Sequence, residues 1–379
     1  MDFLFVIVFV LLGFFFVTSF RASLSQNNFT TLKQLYFYHL LFGVYYYFFV
    51  LGDSIGYWRQ PKKMTIDDFI YAFNEEQGTY FVYALNYIPS NILGLSYFTG
   101  TIMYSVLGFI GLAYFYKIAI DSIPNNPQYR GYNLFPFLFF LPNLHFWSCA
   151  VGKDTLLFFS IGIFVYGIMN ATKRIVLIIL SLFLSYFVRP HITLFMVISF
   201  GFAYMATKSV SLFQRVLFST IMIGIIVSIF PLVLKFAKIE EASIDSFNNF
   251  ATNKASLLNK SHTDSAIDVS SYSYPVKIFT FLFRPFIFDI ISIPFLLASI
   301  ENIILLVLTI RFFGSKPITS FKRAPFVIKG MVYFLIIGTL AFSQSLGNLG
   351  IMIRMRNMFL PGLIIFLFWH FSLGNEDEV

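Results

Sequence analysis

The feature that most constrains this chain is a succession of apolar runs, each close to the length of one bilayer crossing. The first, Phe3 to Val17, reads FLFVIVFVLLGFFFV and carries no charge. A hydrocarbon core takes roughly 20 residues as helix, and fewer at thin or internal positions. About eleven candidate spans meet this, near residues 3–20, 34–52, 96–116, 134–149, 155–169, 175–188, 192–207, 216–237, 290–310, 327–346 and 352–371. The fourth to seventh are short, as tilted, half-buried or re-entrant segments would be. Backbone groups in hydrocarbon must be paired internally, and the runs are too continuous for barrel strands. The expected fold is therefore all-α: a polytopic integral membrane helical bundle of about 11 transmembrane helices. It is a single membrane domain over 1–379, with no internal repeat.

Composition agrees. Charged residues make up 12% of the chain, against about 25% in soluble domains, and the mean hydropathy is +0.77. The 53 Phe and 22 Tyr suit lipid-facing surfaces and interfacial belts. A net charge of +8 without any basic run points to topogenic Lys and Arg rather than to nucleic acid. The single Cys149 excludes an intramolecular disulfide and a Cys-based metal cluster. Asp2 precedes the first run where a cleaved signal would carry basic residues, so that run reads as a retained helix.

Orientation follows from the short loops. Arg21 and Lys33; Lys117 and Arg130; Lys173 and Arg174; Lys208 and Arg215; and Arg311, Lys316, Lys322, Arg323 and Lys329 fall in alternate loops, which read as cytoplasmic. The N-terminus is then outside and the acidic tail Glu376–Glu378 inside. Two outside segments are long. Residues 53–94 contain IDDFIYAFN, whose apolar spacing predicts a surface-lying helix. Residues 238–289 form a large extracytoplasmic loop with a polar, Ser/Asn-rich middle, expected to be mobile, and an aromatic end broken at Arg284-Pro285.

With this topology the unusual polar residues share one face. Asp53 ends the second span, and Lys153 and Asp154 join the fourth to the fifth. Arg189-Pro190-His191 joins the sixth to the seventh. His262 and Arg284 lie in the large loop, and Asn348, Arg354 and Arg356 open the last span. Arg354 and Arg356 cannot share a helix face, so one of them, Arg354, is assigned to a site. Bland roles exist for each: a boundary carboxylate, a local ion pair, an arginine snorkelling to headgroups, an inert loop histidine. Mid-span Glu301 reads as the partner of a buried cation. Yet short loops between apolar helices need no Lys, Arg or His. Several fixed cations on one face suit a phosphate or diphosphate reached through the lipid. Preplaced cations would stabilise a diphosphate leaving group, and Asp53, Asp154 or a histidine could serve as the base for an acceptor hydroxyl.

The stretches PNLHFWSCAVGKD, VRPH, FRPF and GNLGIMIRMR, with the span pattern and the late large loop, resemble Wzy-type oligosaccharide repeat-unit polymerases of O-antigen and capsule assembly. More broadly they resemble GT-C-like lipid-dependent glycosyltransferases. The resemblance implies an inner-membrane enzyme that uses polyprenyl-diphosphate-linked glycan as donor and acceptor, with no cofactor and no metal. Asp53, Asp154 and His262 would be catalytic. Lys153, Arg189, His191, Arg284 and Arg354 would bind substrate. Membrane lipid is a further partner, and a chain-length regulator or flippase is the protein partner such a system leaves room for. About eleven spans is fewer than many relatives have. No Asp-x-Asp pair appears, and Asp67-Asp68 reads as a helix start. The other readings are a single-sugar GT-C transferase, a flippase or secondary transporter, and a structural envelope subunit. Transporters place ionisable groups at the midplane on repeated, broken helices, which this chain lacks apart from Glu301.

Overall fold

The computed structural model describes residues 2–74, 77–207, 211–237, 243–259, 264–269 and 271–373. It is a helical protein whose described strands form a single hairpin. The chain divides into two compact units, 1–120 with 139–189, and 121–138 with 190–379.

The first unit holds α1 (Asp2–Ser19), α2 (Gln26–Phe49), α3 (Asp53–Arg59), α4 (Ile66–Asn74), α5 (Thr79–Tyr87), α6 (Tyr97–Ser122), α7 (Pro142–Phe146), α8 (Lys153–Ile168) and α9 (Ile175–Val188). Ser25 opens α2 by accepting from Asn28 N at 3.3 Å, which satisfies one orphan donor of the first turn. Phe3, Leu4, Leu11, Leu12 and Phe15 of α1 are all exposed. A helix apolar all round and uncovered suits hydrocarbon as its solvent.

The second unit holds β1 (Gln128–Tyr129), β2 (Tyr132–Asn133), α10 (Pro190–Met205), α11 (Leu212–Ala237), α12 (Ile244–Asn259), α13 (Tyr274–Phe283), α14 (Ile293–Phe313), α15 (Pro317–Arg323), α16 (Phe326–Ser345), α17 (Leu349–Arg356) and α18 (Leu360–Leu373). α16 is its central helix and packs against α10, α12, α13 and α18.

Among the described residues four helices are long and apolar enough to cross a membrane: Asp2–Ser23, Tyr97–Ser122, Ile293–Phe313 and Phe326–Ser345. Two bent pairs bring the number to as many as six: Gln26–Phe49 with Asp53–Lys63 at 87°, and Leu349–Arg356 with Leu360–Leu373 at 58°. Others, such as Ile175–Val188 and Pro190–Met205, are apolar but shorter.

The expected fourth helix, 134–149, does not form. Pro136 and Pro142 interrupt the run, each removing a donor and holding its predecessor out of α geometry. Only a 3₁₀ turn at Phe137–Phe140 and the short α7 remain. The segment nevertheless travels along α6 in reverse. Phe139 packs on Tyr116 with ring centroids 5.3 Å apart. Further on, the Ser148 carbonyl lies against Gly108, and Ser105 Oγ donates to Cys149 O at 2.9 Å. α8 then follows α6 in the same direction, with Gly111 against Phe159 and Gly162 against the Gly111 carbonyl. Small residues permit this approach. Non-helical backbone here is tenable because it is buried in protein. His145, buried, places Nε2 2.8 Å from Phe139 O and Nδ1 3.1 Å from Nδ1 of buried His39 on α2. A carbonyl partner requires the proton on Nε2, so His145 Nδ1 accepts from His39.

Two further expectations meet the structure in the long loops. IDDFIYAFN is helical as α4, started by a reciprocal capping box: Thr65 N donates to Asp68 Oδ2 at 2.8 Å, and Asp68 N to Thr65 Oγ1 at 3.2 Å. The polar middle of 238–289, expected to be a mobile loop, contains a helix among its described residues. Residues 244–259 are α12, whose Phe247, Phe250, Ala251 and Ala255 recur at helical spacing. Residues 265–267 pair with 347–349 through Leu349 N to Ser265 O (2.8 Å) and Ile267 N to Gly347 O (3.0 Å).

Candidate functional site

Four of the expected site residues lie in the first unit, and Tyr57 of α3 links the α3 side to the start of α8 through Tyr83 and Lys153. α2 ends at Phe49 and the chain turns 87° into α3, with Asp53 in its first turn. Asn86 donates to Tyr57 O at 3.0 Å and accepts from the Tyr104 hydroxyl at 2.9 Å, while Trp58 Nε1 donates to Leu95 O at 3.1 Å. These buried bonds fix α3. The Tyr57 ring then lies 6.1 Å from that of Tyr83. Burial, the neighbouring Tyr80 and the charge of Asp53 together hold the Tyr83 phenol above its usual range.

On the other side of Tyr57 is the start of α8. Gly152 adopts φ 144°, a region that favours glycine, and a Cβ there would meet Tyr57 Cδ2 at 2.9 Å. This turn delivers Lys153 with Nζ 5.8 Å from the Tyr57 ring centroid, a cation–π distance. Asp154 sits in the first turn of α8, where the helix dipole favours a carboxylate. Arg189 closes α9 by donating its N–H to Ser185 O at 2.8 Å and, preceding Pro190, becomes extended. Its Nη2 lies 3.4 Å from Asp154 Oδ1, and both side chains are nearly buried. Asp53, Lys153, Asp154 and Arg189 thus share one neighbourhood, with two carboxylates and two cations beside phenol rings.

The second unit holds the rest. Arg284, like Arg189, ends its helix just before a proline. Its guanidinium is gripped in the same loop by Asp289, Nη2 to Oδ1 at 2.5 Å and Nε to Oδ2 at 3.1 Å, with Tyr272 Oη 3.4 Å from Nη1. The hydrogen bonds that Arg284 donates to Asp289 are the main reason its pKa lies above the usual range. Those two N–H groups are the pair a diphosphate would take. Arg354 is half-buried on α17, whose N-cap Asn348 accepts from Ile351 N and from Ser265 Oγ, both at 3.1 Å. His191, at the start of α10, stacks edge-on near Phe195 and Phe342 at 5.9 and 5.8 Å. His262 lies outside the described residues.

Other partnerships had little sequence signal beyond the buried cation expected opposite Glu301, which is Arg356. Arg356 is fully buried and clamps the end of α13, with Nη1 donating to Leu282 O at 2.5 Å and to Phe281 O and Arg284 O at 3.3 Å. Its Nη2 donates to Asn302 Oδ1 at 2.6 Å, and Asn302 donates to Pro285 O at 2.8 Å. Buried Glu301 lies within electrostatic reach of Arg356. Only the divergence of Arg354 and Arg356 onto different faces was readable from their spacing. Among the described residues no group of three or more His, Cys, Asp or Glu is arranged to hold a metal ion.

Compared with known proteins, the chain matches no family model, no curated protein and no solved structure.

Proposed function

We propose that this chain is a multi-pass plasma-membrane (inner-membrane) enzyme that polymerises polyprenyl-diphosphate-linked oligosaccharide units into a surface polysaccharide. The observation that carries this reading is the chain of contacts from Asp53 by way of Tyr83 and Tyr57 to Lys153, with Asp154 beside Lys153 and paired to Arg189. Lys153 and Arg189 are of the kind that holds a diphosphate. A carboxylate within the same neighbourhood can take the proton of an acceptor hydroxyl. In this scheme the bond between the anomeric carbon and the diphosphate breaks as the acceptor oxygen bonds to that carbon. The diphosphate leaves as the anion, and Asp53 or Asp154 receives the acceptor proton.

The topology belongs to the same proposal: about eleven crossings, N-terminus outside and C-terminus cytoplasmic. The return of residues 139–152 along α6 supports counting that segment as the fourth crossing even though it is not a helix. The Tyr57 neighbourhood would then face outside. Arg354, His191 and His262 stay in the proposal as substrate-binding or base residues. Arg284 stays as a residue that must exchange Asp289 for substrate if it is to hold phosphate.

The experiment is deletion of the gene in its native strain, with gel analysis of surface polysaccharide. The expected result is loss of the long ladder with single repeat units retained on lipid. An unchanged ladder in a glycan-producing strain refutes the reading. Loss of activity in Asp53→Asn together with dependence on a divalent ion would instead support a single-sugar transferase.

A further inference from the structure

The second unit contains a cavity of about 860 Å³ that the proposed reaction does not use. It is bounded by the β1–β2 hairpin, the end of α14, α15 and the end of α18. Four cations line it: Arg130 from the hairpin, Arg311 from α14, and Lys316 and Arg323 from either end of α15. No carboxylate of the described residues lines it. Four like charges converging on one concavity repel one another, and an anion inside relieves that repulsion.

The walls are built rather than loose. His370 of α18 lies 2.9 Å from Ser315 Oγ through Nε2 and 2.8 Å from Ser320 Oγ through Nδ1. Trp369 Nε1 donates to Ser320 O at 2.9 Å. The hairpin is held on the same helix by Tyr129 against Phe371, with centroids 5.7 Å apart. The two non-glycine residues with left-handed backbone among the described residues are Arg130 (φ 51°) and Lys316 (φ 43°), and both line this cavity. Left-handed backbone is unfavourable for a residue with a side chain and collects where geometry serves a ligand. The helices that supply these cations, α14 and α15, also carry the exposed apolar side chains Ile310, Phe313 and Ile318, at 62 to 69% exposure. A cationic pocket formed by helices that also carry uncovered apolar side chains fits an anionic headgroup attached to acyl chains better than a free anion.

We infer that this cavity is a binding site for the phosphate headgroup of an anionic membrane lipid, held by Arg130, Arg311, Lys316 and Arg323. All four belong to the loops that read as cytoplasmic, where anionic lipid is presented. The site shares no residue with the proposed reaction; only its placement on the cytoplasmic side rests on the topology proposed above.

Native mass spectrometry of the full chain in detergent tests this with two lipids of identical acyl chains, phosphatidylglycerol and phosphatidylcholine. Phosphatidylglycerol should be retained on the order of tenfold more strongly. Arg130→Gln with Arg311→Gln, and separately Lys316→Gln with Arg323→Gln, should each bring retention to the phosphatidylcholine level without changing the melting temperature in phosphatidylcholine micelles. The two pairs sit on different elements, so a folding failure in one leaves the other readable. Equal retention of both lipids, or a preference that survives both pairs of substitutions, overturns the inference. Displacement of phosphatidylglycerol by millimolar inorganic phosphate would overturn the lipid assignment in favour of a free-phosphate site.

Discussion

Arg189 Nη2 stands 3.4 Å from Asp154 Oδ1, joining the end of α9 to the start of α8 where both side chains are nearly out of water. Removing one member of such a pair strands the other's charge. Arg189→Met should therefore lower stability by roughly 2–4 kcal/mol, read as a lower melting temperature in detergent. Adding Asp154→Leu removes the stranded carboxylate, and the double variant should recover part of the loss. A double variant no more stable than Arg189→Met would show that the two groups are not energetically coupled.

Arg356 makes a second prediction. Its guanidinium satisfies carbonyls at the end of α13, which have no partner within that helix. Arg356→Met should cost about 3 kcal/mol or more and reduce the amount of folded protein. Arg356→Lys should not rescue it, because an ammonium cannot span Leu282 O and Asn302 Oδ1 as the planar fork does. Arg354→Met, on the neighbouring face, should leave folding intact.

Close helix approach gives the third. A Cβ at Gly108 would collide with the Ser148 carbonyl, a backbone atom that cannot rotate away. Gly108→Ala should destabilise by about 2 kcal/mol or more. Gly56 on α3 has nothing near its would-be Cβ, so Gly56→Ala should be neutral or stabilising by a few tenths of a kcal/mol. Equal effects at the two positions would contradict the packing described for α6.

The apolar periods and turn chemistry made much of this architecture readable in advance. α1, α6, α14 and α16 follow from uninterrupted apolar length, and α4 from the apolar spacing of IDDFIYAFN and the helix start at Asp67-Asp68. The corner at Gly152-Lys153-Asp154 was visible as a break between runs. Its contact with Tyr57 was not, because nothing local links residue 57 to residue 152. The run at 134–149 was mistaken for a continuous helix because hydropathy measures how much of a segment is apolar. Backbone hydrogen bonding there is decided by Pro136, Pro142 and the groove along α6. α12 was missed for the converse reason: its polar residues mask a narrow apolar stripe that suffices against α16. Arg130, Arg311, Lys316 and Arg323 were counted only as signs of orientation, since their convergence depends on the hairpin folding onto α18.

The pair Arg284–Asp289 makes the last prediction and separates two roles for that arginine. Two hydrogen bonds join the side chains, and Asp289 Oδ2 also accepts from Phe286 N at 2.8 Å, so the carboxylate organises the loop after α13. If the arginine acts through this loop, Arg284→Ala and Asp289→Asn should each lower stability by about 1–3 kcal/mol. The double variant should then be little worse than the worse single one, because both substitutions break the same interaction. Polysaccharide ladders from cells carrying each variant should shorten in step with the stability loss. If Arg284 instead holds the diphosphate, Asp289→Asn should preserve the ladder while Arg284→Ala abolishes it at normal protein level. Melting curves and ladders from the same three variants therefore decide between a loop clamp and a substrate ligand.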